Sequence, residues 1–122
     1  MFKNILIIGF GMIGSSIARS VIKKYKNVNI FAFDKSNNLK IRINKSKLNN
    51  VKVLKSLQEI NNLNIDLIII CVPMLQYQSI FKKLSNINLD KTIVTDVGST
   101  KLNIEKLYLS LIHISEPTRR HL

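Results

Sequence analysis

The sequence predicts an α/β fold: a doubly wound parallel sheet with helices on both faces. Three observations predict it. Runs of apolar residues such as Ile5–Ile8 and Leu67–Val72 carry no polar alternation, as strands buried on both faces require. Strand-like runs alternate along the chain with helix-like stretches. The first strand passes into a helix through Gly9-Phe10-Gly11-Met12-Ile13-Gly14, a tight glycine turn.

The elements follow in order. Lys3 to Ile8 is the first strand. The first helix is expected from about Met12 to Tyr25, with Ile13, Ile17, Val21 and Ile22 as its buried stripe and Arg19, Lys23 and Lys24 facing water. Val28 to Phe33 is the second strand, ending at Asp34. Between Ser36 and Asn50 the apolar residues are irregularly spaced, and a second helix closed by Asn49-Asn50 is expected. Val51 to Leu54 is a short strand. Ser56 and Glu59 have the spacing of a capping box for a short helix. Asp66 to Pro73 is a mid-sheet strand stopped by its proline. A helix is expected over about Leu75 to Leu84, with Ile80, Phe81 and Leu84 toward the core. Lys91 to Thr95 is the last clear strand. It runs into Asp96-Val97-Gly98-Ser99-Thr100-Lys101, with a further helix starting near Thr100.

At 122 residues the chain is one domain at most, and 46 % hydrophobic residues are enough for a real core. The formal net charge is +12, from 19 basic and 7 acidic residues. A nucleic-acid or anionic-membrane partner is one reading of that excess. A solvated lysine surface is the better one, because the lysines are scattered among Asn and Ile without interleaved aromatics that could stack on bases. Neither a nucleic-acid nor a membrane partner is therefore expected. The single cysteine, Cys71, excludes a disulfide framework. No apolar run approaches the ~18 residues of a membrane span, and the first strand starts too near Met1 for a signal peptide. The expected location is the cytoplasm, and no metal site is expected.

The glycine turn carries the chemistry. Gly9 permits the sharp turn off the strand. Gly11 lets the backbone approach a pyrophosphate. Gly14 lets the helix pack closely on the strand, and the helix N-terminus offers free N–H groups to phosphates. Alone the pattern is weak. Here a second strand ends in Asp34, 20 residues after Gly14, at the spacing of an acid that hydrogen-bonds an adenosine ribose. The sheet is thus Rossmann-like and the expected cofactor is NAD. Lys35 could accept the additional phosphate of NADP, but Asp34 repels that phosphate, so NADP is the poorer candidate. Ligands of such sheets bind at the carboxyl ends of the strands. Gly9 to Gly14, Cys71-Val72-Pro73 and Asp96 to Ser99 are therefore expected to share one crevice. Within it Cys71 reads as a core thiol.

Three stretches together make the chain resemble the prephenate/arogenate dehydrogenase family of tyrosine biosynthesis: Gly9 to Ser16, Cys71-Val72-Pro73, and above all Asp96 to Lys101. The resemblance covers about residues 2 to 108, the nucleotide-binding domain of the family. It implies oxidative decarboxylation of prephenate or arogenate, with hydride passing to the nicotinamide as the ring becomes aromatic. It implies cofactor-binding roles for Gly9, Phe10, Gly11, Met12, Ile13, Gly14, Asp34, Cys71, Val72 and Pro73. It implies a catalytic role for Ser99, near the substrate hydroxyl, where a helix N-cap is the alternative reading. Asp96 would brace its loop; Lys101 would either touch an anion or be solvated. The full-length protein would be a homodimer acting on a small-molecule substrate.

The resemblance also implies a catalytic histidine in a His-Pro motif after the next strand, and the chain has no such motif. Its only histidines are His113 and His121, in a stretch of different composition. Before residue 109 there are no His, one Pro and two Arg; the last 14 residues hold two His, one Pro and two Arg. Leu109 to Arg119 resembles a translated sequencing adapter, so residues 1–108 are read as an incomplete dinucleotide-binding domain and 109–122 as a non-native tail. A helical substrate domain is expected to be missing, and the chain alone is expected to be inactive. Two other functions share the nucleotide fold: reduction of hydroxy acids or imines, and non-catalytic NAD sensing.

Overall fold

The computed structural model describes residues 2–36, 38–45, 48 and 50–97. Five strands, β1 (Asn4–Ile8), β2 (Asn29–Phe33), β3 (Val51–Val53), β4 (Leu67–Ile70) and β5 (Ile93–Asp96), form one sheet. The order is β3-β2-β1-β4-β5 and every pairing is parallel. Three helices, α1 (Met12–Lys24), α2 (Leu39–Lys45) and α3 (Tyr77–Leu84), connect them, with 3-10 turns at Leu57–Asn62 and Met74–Gln76.

The apolar strands do what their sequence demands. Successive side chains of a strand point to opposite faces, so Ile5 and Ile7 of β1 enter one core while Leu6 and Ile8 enter the other. β4 divides the same way, Leu67 and Ile69 against Ile68 and Ile70. The first core is closed by Ile17, Ala18 and Val21 of α1 with Leu39 and Ile43 of α2. The second is closed by Ile80 and Leu84 of α3 with Leu57 and Ile60. Both faces are covered, which is the doubly wound arrangement.

Several local expectations are met. Ser56 Oγ accepts from the Gln58 N–H at 3.0 Å, and Glu59 Oε2 accepts from the Ser56 N–H at 3.0 Å, completing the capping box on the 3-10 turn.

Four details differ. Ile13 is 46 % exposed, not part of the buried stripe. The α1 stripe is Gly14, Ile17, Ala18 and Val21, because the backbone of Gly14 touches the sheet and turns Ile13 away. α2 is described over Leu39–Lys45 and does not reach the expected close at Asn49-Asn50, of which Asn49 lies outside the described residues; Leu48 is buried outside the helix, its N–H donating to the Ile43 carbonyl at 3.2 Å. α3 begins at Tyr77, after the Met74–Gln76 turn. Phe81 lies on its exposed side rather than in the core, with its ring edge-on to Tyr77 at 5.8 Å. Ile80 and Leu84, four residues apart, take the buried row instead.

Candidate functional site

The strand order reverses between β1 and β4. The chain winds outward from β1 to β2 and β3, then crosses to β4 and β5 on the other side. At such a switch point the connections leave in opposite directions and open a crevice beyond the strand ends. A cleft of about 680 Å³ lies there, within the usual range of small-molecule sites. Gly9, Gly11, Met12 and Ile13 form one wall, Asp34 lies at one end, and Cys71, Val72 and Pro73 face them. Val97 joins from the end of β5.

Each glycine has a separate physical cause. Gly9 has φ +91°, a left-handed conformation that side chains disfavour, and a Cβ there would meet Val72 Cγ1 at 2.7 Å and the Cys71 carbonyl carbon at 2.8 Å. Gly14 faces the Gly9 carbonyl oxygen, and a Cβ would meet Ile7 Cγ2 at 3.2 Å. A Cβ on Gly11 would touch nothing within 4 Å. The first two glycines are thus required by the protein's own packing, while the third leaves open space at the mouth of the turn.

α1 starts at that open space. The Ser15 N–H makes a helical bond to the Gly11 carbonyl at 3.0 Å. Among the described residues no side chain caps the helix, and its first turn carries no acidic residue. The first N–H groups of a helix have no intrahelical acceptor, so the helix end suits an anion.

Asp34 is drawn to the turn rather than standing apart from it. Its Oδ2 accepts the Phe10 N–H at 2.9 Å, and its Oδ1 accepts the Ser36 N–H at 3.1 Å. The Gly9 N–H donates to the Phe33 carbonyl at 2.8 Å, which fixes the ends of β1 and β2 together. Arg42 of α2 completes the cluster: Nη2 donates to Asp34 Oδ2 at 3.1 Å and Nη1 to the Phe10 carbonyl at 3.0 Å. Burial works to raise the Asp34 pKa, but the Phe10 and Ser36 N–H groups and the Arg42 guanidinium outweigh it and hold the carboxyl below its ordinary value. Arg42 was not singled out from the sequence. A signal was present: Arg19 and Arg42 are the only arginines before residue 109 in a chain otherwise rich in lysine, and the planar fork of arginine presents donors from two nitrogens in a fixed geometry that lysine lacks.

Cys71 is half-buried at the crevice, its N–H donating to the Ile8 carbonyl at 2.7 Å. Burial, with the Asp96 carboxylate adding to it, pushes the thiol up to about 12. Asp96 ends β5, half-buried. Ser99, Thr100 and Lys101, the helix expected near Thr100, both histidines and residues 109–122 lie outside the described residues. Among the described residues no helix is long and apolar enough to cross a membrane.

A parallel doubly wound sheet with a glycine turn, an uncapped helix end and a strand-end acid at its switch point defines a dinucleotide-binding α/β domain. The chain belongs to the prephenate dehydrogenase family, through its nucleotide-binding domain: the family model "Prephenate dehydrogenase, nucleotide-binding domain" matches residues 17–115. That match begins after the glycine turn and ends inside the stretch set apart by composition. Among curated relatives, a prephenate dehydrogenase of Lactococcus lactis is 35 % identical over 107 residues, covering 86 % of this chain and 29 % of the relative. A cyclohexadienyl dehydrogenase of Zymomonas mobilis is 30 % identical over 106 residues, covering 87 % of this chain and 36 % of the relative. Among solved structures, prephenate dehydrogenase from A. aeolicus in complex with hydroxyphenyl propionate and NAD+ superposes with a TM-score of 0.68 at 26 % identity. That superposition covers 85 % of this chain and 36 % of the other. The chain thus spans about a third of the length of the relatives it matches.

Proposed function

We propose that this chain binds a nicotinamide dinucleotide, NAD in preference to NADP, as the cofactor domain of a dehydrogenase acting on prephenate or arogenate in tyrosine biosynthesis. The observation that carries the reading is the joining of the glycine turn to the strand-end acid by the 2.9 Å bond from the Phe10 N–H to Asp34. It brings the open space over Gly11, where a Cβ would meet nothing within 4 Å, and a ribose acceptor into one cleft. The bound nicotinamide would supply the hydride acceptor.

The chain's own residues have simpler tasks. The N–H groups at the start of α1 hold the negative charge of the pyrophosphate. Asp34, kept ionised, accepts from an adenosine ribose hydroxyl. Val72 and Pro73, with Met12 and Ile13 opposite, line the cleft between the ends of β1 and β4. Met12 is 87 % exposed and Ile13 nearly half exposed; apolar side chains of this kind gain by being covered by a ligand. Ser99 is proposed to hydrogen-bond the substrate hydroxyl. The A. aeolicus prephenate dehydrogenase, in complex with hydroxyphenyl propionate and NAD+, supports the reading of a nicotinamide cofactor.

The test is titration of the chain with NAD by calorimetry, beside Gly11→Val. A side chain at Gly11 meets no protein atom, so the variant should keep its fold and its circular dichroism. It should lose at least about tenfold in affinity, because the valine occupies the space the pyrophosphate needs. Unchanged NAD affinity in a folded Gly11→Val protein would place the nucleotide elsewhere.

A further inference from the structure

The guanidinium of Arg42 joins the two parts of the crevice that a dinucleotide would span. Nη1 donates to the Phe10 carbonyl and Nη2 to Asp34 Oδ2, while the same Oδ2 accepts the Phe10 N–H. The two peptides flanking Phe10 are therefore both held, the Phe10–Gly11 carbonyl by Arg42 and the Gly9–Phe10 N–H by Asp34. The residue comes from α2, so a helix outside the glycine turn fixes the geometry of that turn.

Counting hydrogen-bond capacity shows what remains for a ligand. An ionised carboxylate offers about four acceptor sites. On Asp34, Phe10, Arg42 and Ser36 occupy three of them. About one site is left for a ribose hydroxyl. An arginine has five N–H donors. Two are used, and Nε is buried without an acceptor. Two Nη–H donors remain on a side chain that is 37 % exposed. Among the described residues the remaining acceptor site of Asp34 is thus on Oδ1, while the charged donor Nη2 lies 3.1 Å from the other oxygen, Oδ2, of the same carboxylate.

We propose that Arg42, paired to Asp34 and the Phe10 carbonyl, is the residue that sets how strongly the site discriminates NAD from NADP. This rests on the dinucleotide reading of the crevice. An unpaired aspartate at a ribose 2′ position repels a 2′-phosphate. Here the guanidinium offsets that charge and still carries donors that a phosphate can accept from. The ligand chemistry is a phosphate monoester on a ribose, and the discrimination belongs to the pair rather than to the acid. NAD keeps the advantage because Asp34 retains an acceptor for a hydroxyl.

The test is calorimetric titration of the whole chain with NAD and with NADP, for wild type, Arg42→Gln and Arg42→Lys at low and high salt. Removing the charge in Arg42→Gln should weaken NADP about tenfold more than NAD, the order expected for one hydrogen bond to a charged group. Arg42→Lys should weaken both nucleotides, since a single ammonium lacks the fork that places one nitrogen at the Phe10 carbonyl and the other at Asp34, yet keep the ratio of affinities within about threefold of wild type. The selective loss should shrink at high salt. If Arg42→Gln does not fold, Arg42→Met, which keeps the aliphatic stem, is read the same way. Equal loss of both nucleotides in the neutral variant, leaving the ratio unchanged, overturns the assignment and leaves Arg42 as scaffold. So does a wild type that binds NAD but no NADP, for the guanidinium then offsets nothing. A wild type that binds neither nucleotide overturns the dinucleotide reading itself, and is seen before any variant is made.

Discussion

Asp34 is the residue on which the crevice turns, and its ionisation has a direction that can be measured. Its folded pKa lies below the ordinary 3.8. A carboxyl with a depressed folded pKa stabilises the fold above its unfolded pKa and loses that contribution as pH falls through the folded value. The contribution is therefore complete at neutral pH and fades below about pH 4. Asp34→Asn should melt below wild type at pH 7, and the two melting temperatures should converge as the pH drops under about 4. A constant difference down to pH 2 would show that the charge plays no part. In binding, Asp34→Ala should narrow the gap between NAD and NADP, since the acceptor for a ribose hydroxyl goes with the carboxylate and Arg42 loses the partner that offsets its charge; tighter binding of NADP than NAD by the wild type would contradict the proposed preference. Cys71 behaves oppositely. Its pKa is raised from 9.0 to about 12, so the native thiol stays neutral up to about pH 12 while the unfolded thiol ionises near 9, and its contribution to stability is complete below about pH 9 and is lost as pH rises toward 12. The thiolate is the reactive species. Iodoacetamide at pH 8 should therefore label Cys71 at least about tenfold more slowly in the native chain than in urea, by mass spectrometry.

At the scale of elements, the contact between β1 and α1 decides whether the site forms. Gly14 sits in the first turn of α1, where alanine would gain up to about 1 kcal/mol of helix propensity. Against that, an alanine Cβ would overlap the Gly9 carbonyl oxygen, a backbone atom that cannot rotate away. Overpacking typically costs about 1–3 kcal/mol, so the clash should win. Gly14→Ala should lower the unfolding midpoint in urea and weaken nucleotide binding together, whereas Gly11→Ala should leave stability within about 0.5 kcal/mol of wild type. Equal stability of both variants would mean that α1 can slide off the strand without cost. α1 and β1 were plain in the sequence, because the strand is apolar on both faces and the glycines mark the turn. The position of Ile13 was not: its exposure follows from the rotation that Gly14 imposes on the helix. The end of α2 was hidden for a related reason. Ile41 and Ile43 are both apolar, yet only Ile43 faces the sheet, and Ile41 is 57 % exposed.

For the whole molecule, the described residues form two cores, one on either side of a five-stranded sheet. Residues 109–122, set apart by composition and by their resemblance to a translated adapter, are proposed to contribute nothing to it. Deleting them should leave the melting temperature within about 2 °C of the parent, since surface changes are usually within ±0.5 kcal/mol, and should not weaken NAD binding. A clear loss of either would make the tail part of the fold.

The sequence by itself determined the fold class, the parallel character of the sheet, the turn at Gly9, the close packing at Gly14 and the acid at the end of β2. Those features are local: apolar runs, backbone freedom and a fixed spacing along one βαβ unit. Only the tertiary structure decided that Asp34 is already bonded to the Phe10 N–H, and that Arg42, eight residues further on in an irregular stretch, reaches back to both. Those contacts join the ends of β1 and β2 to α2. No periodicity records them, because hydrogen-bond partners across a sheet are chosen by three-dimensional proximity and not by spacing along the chain.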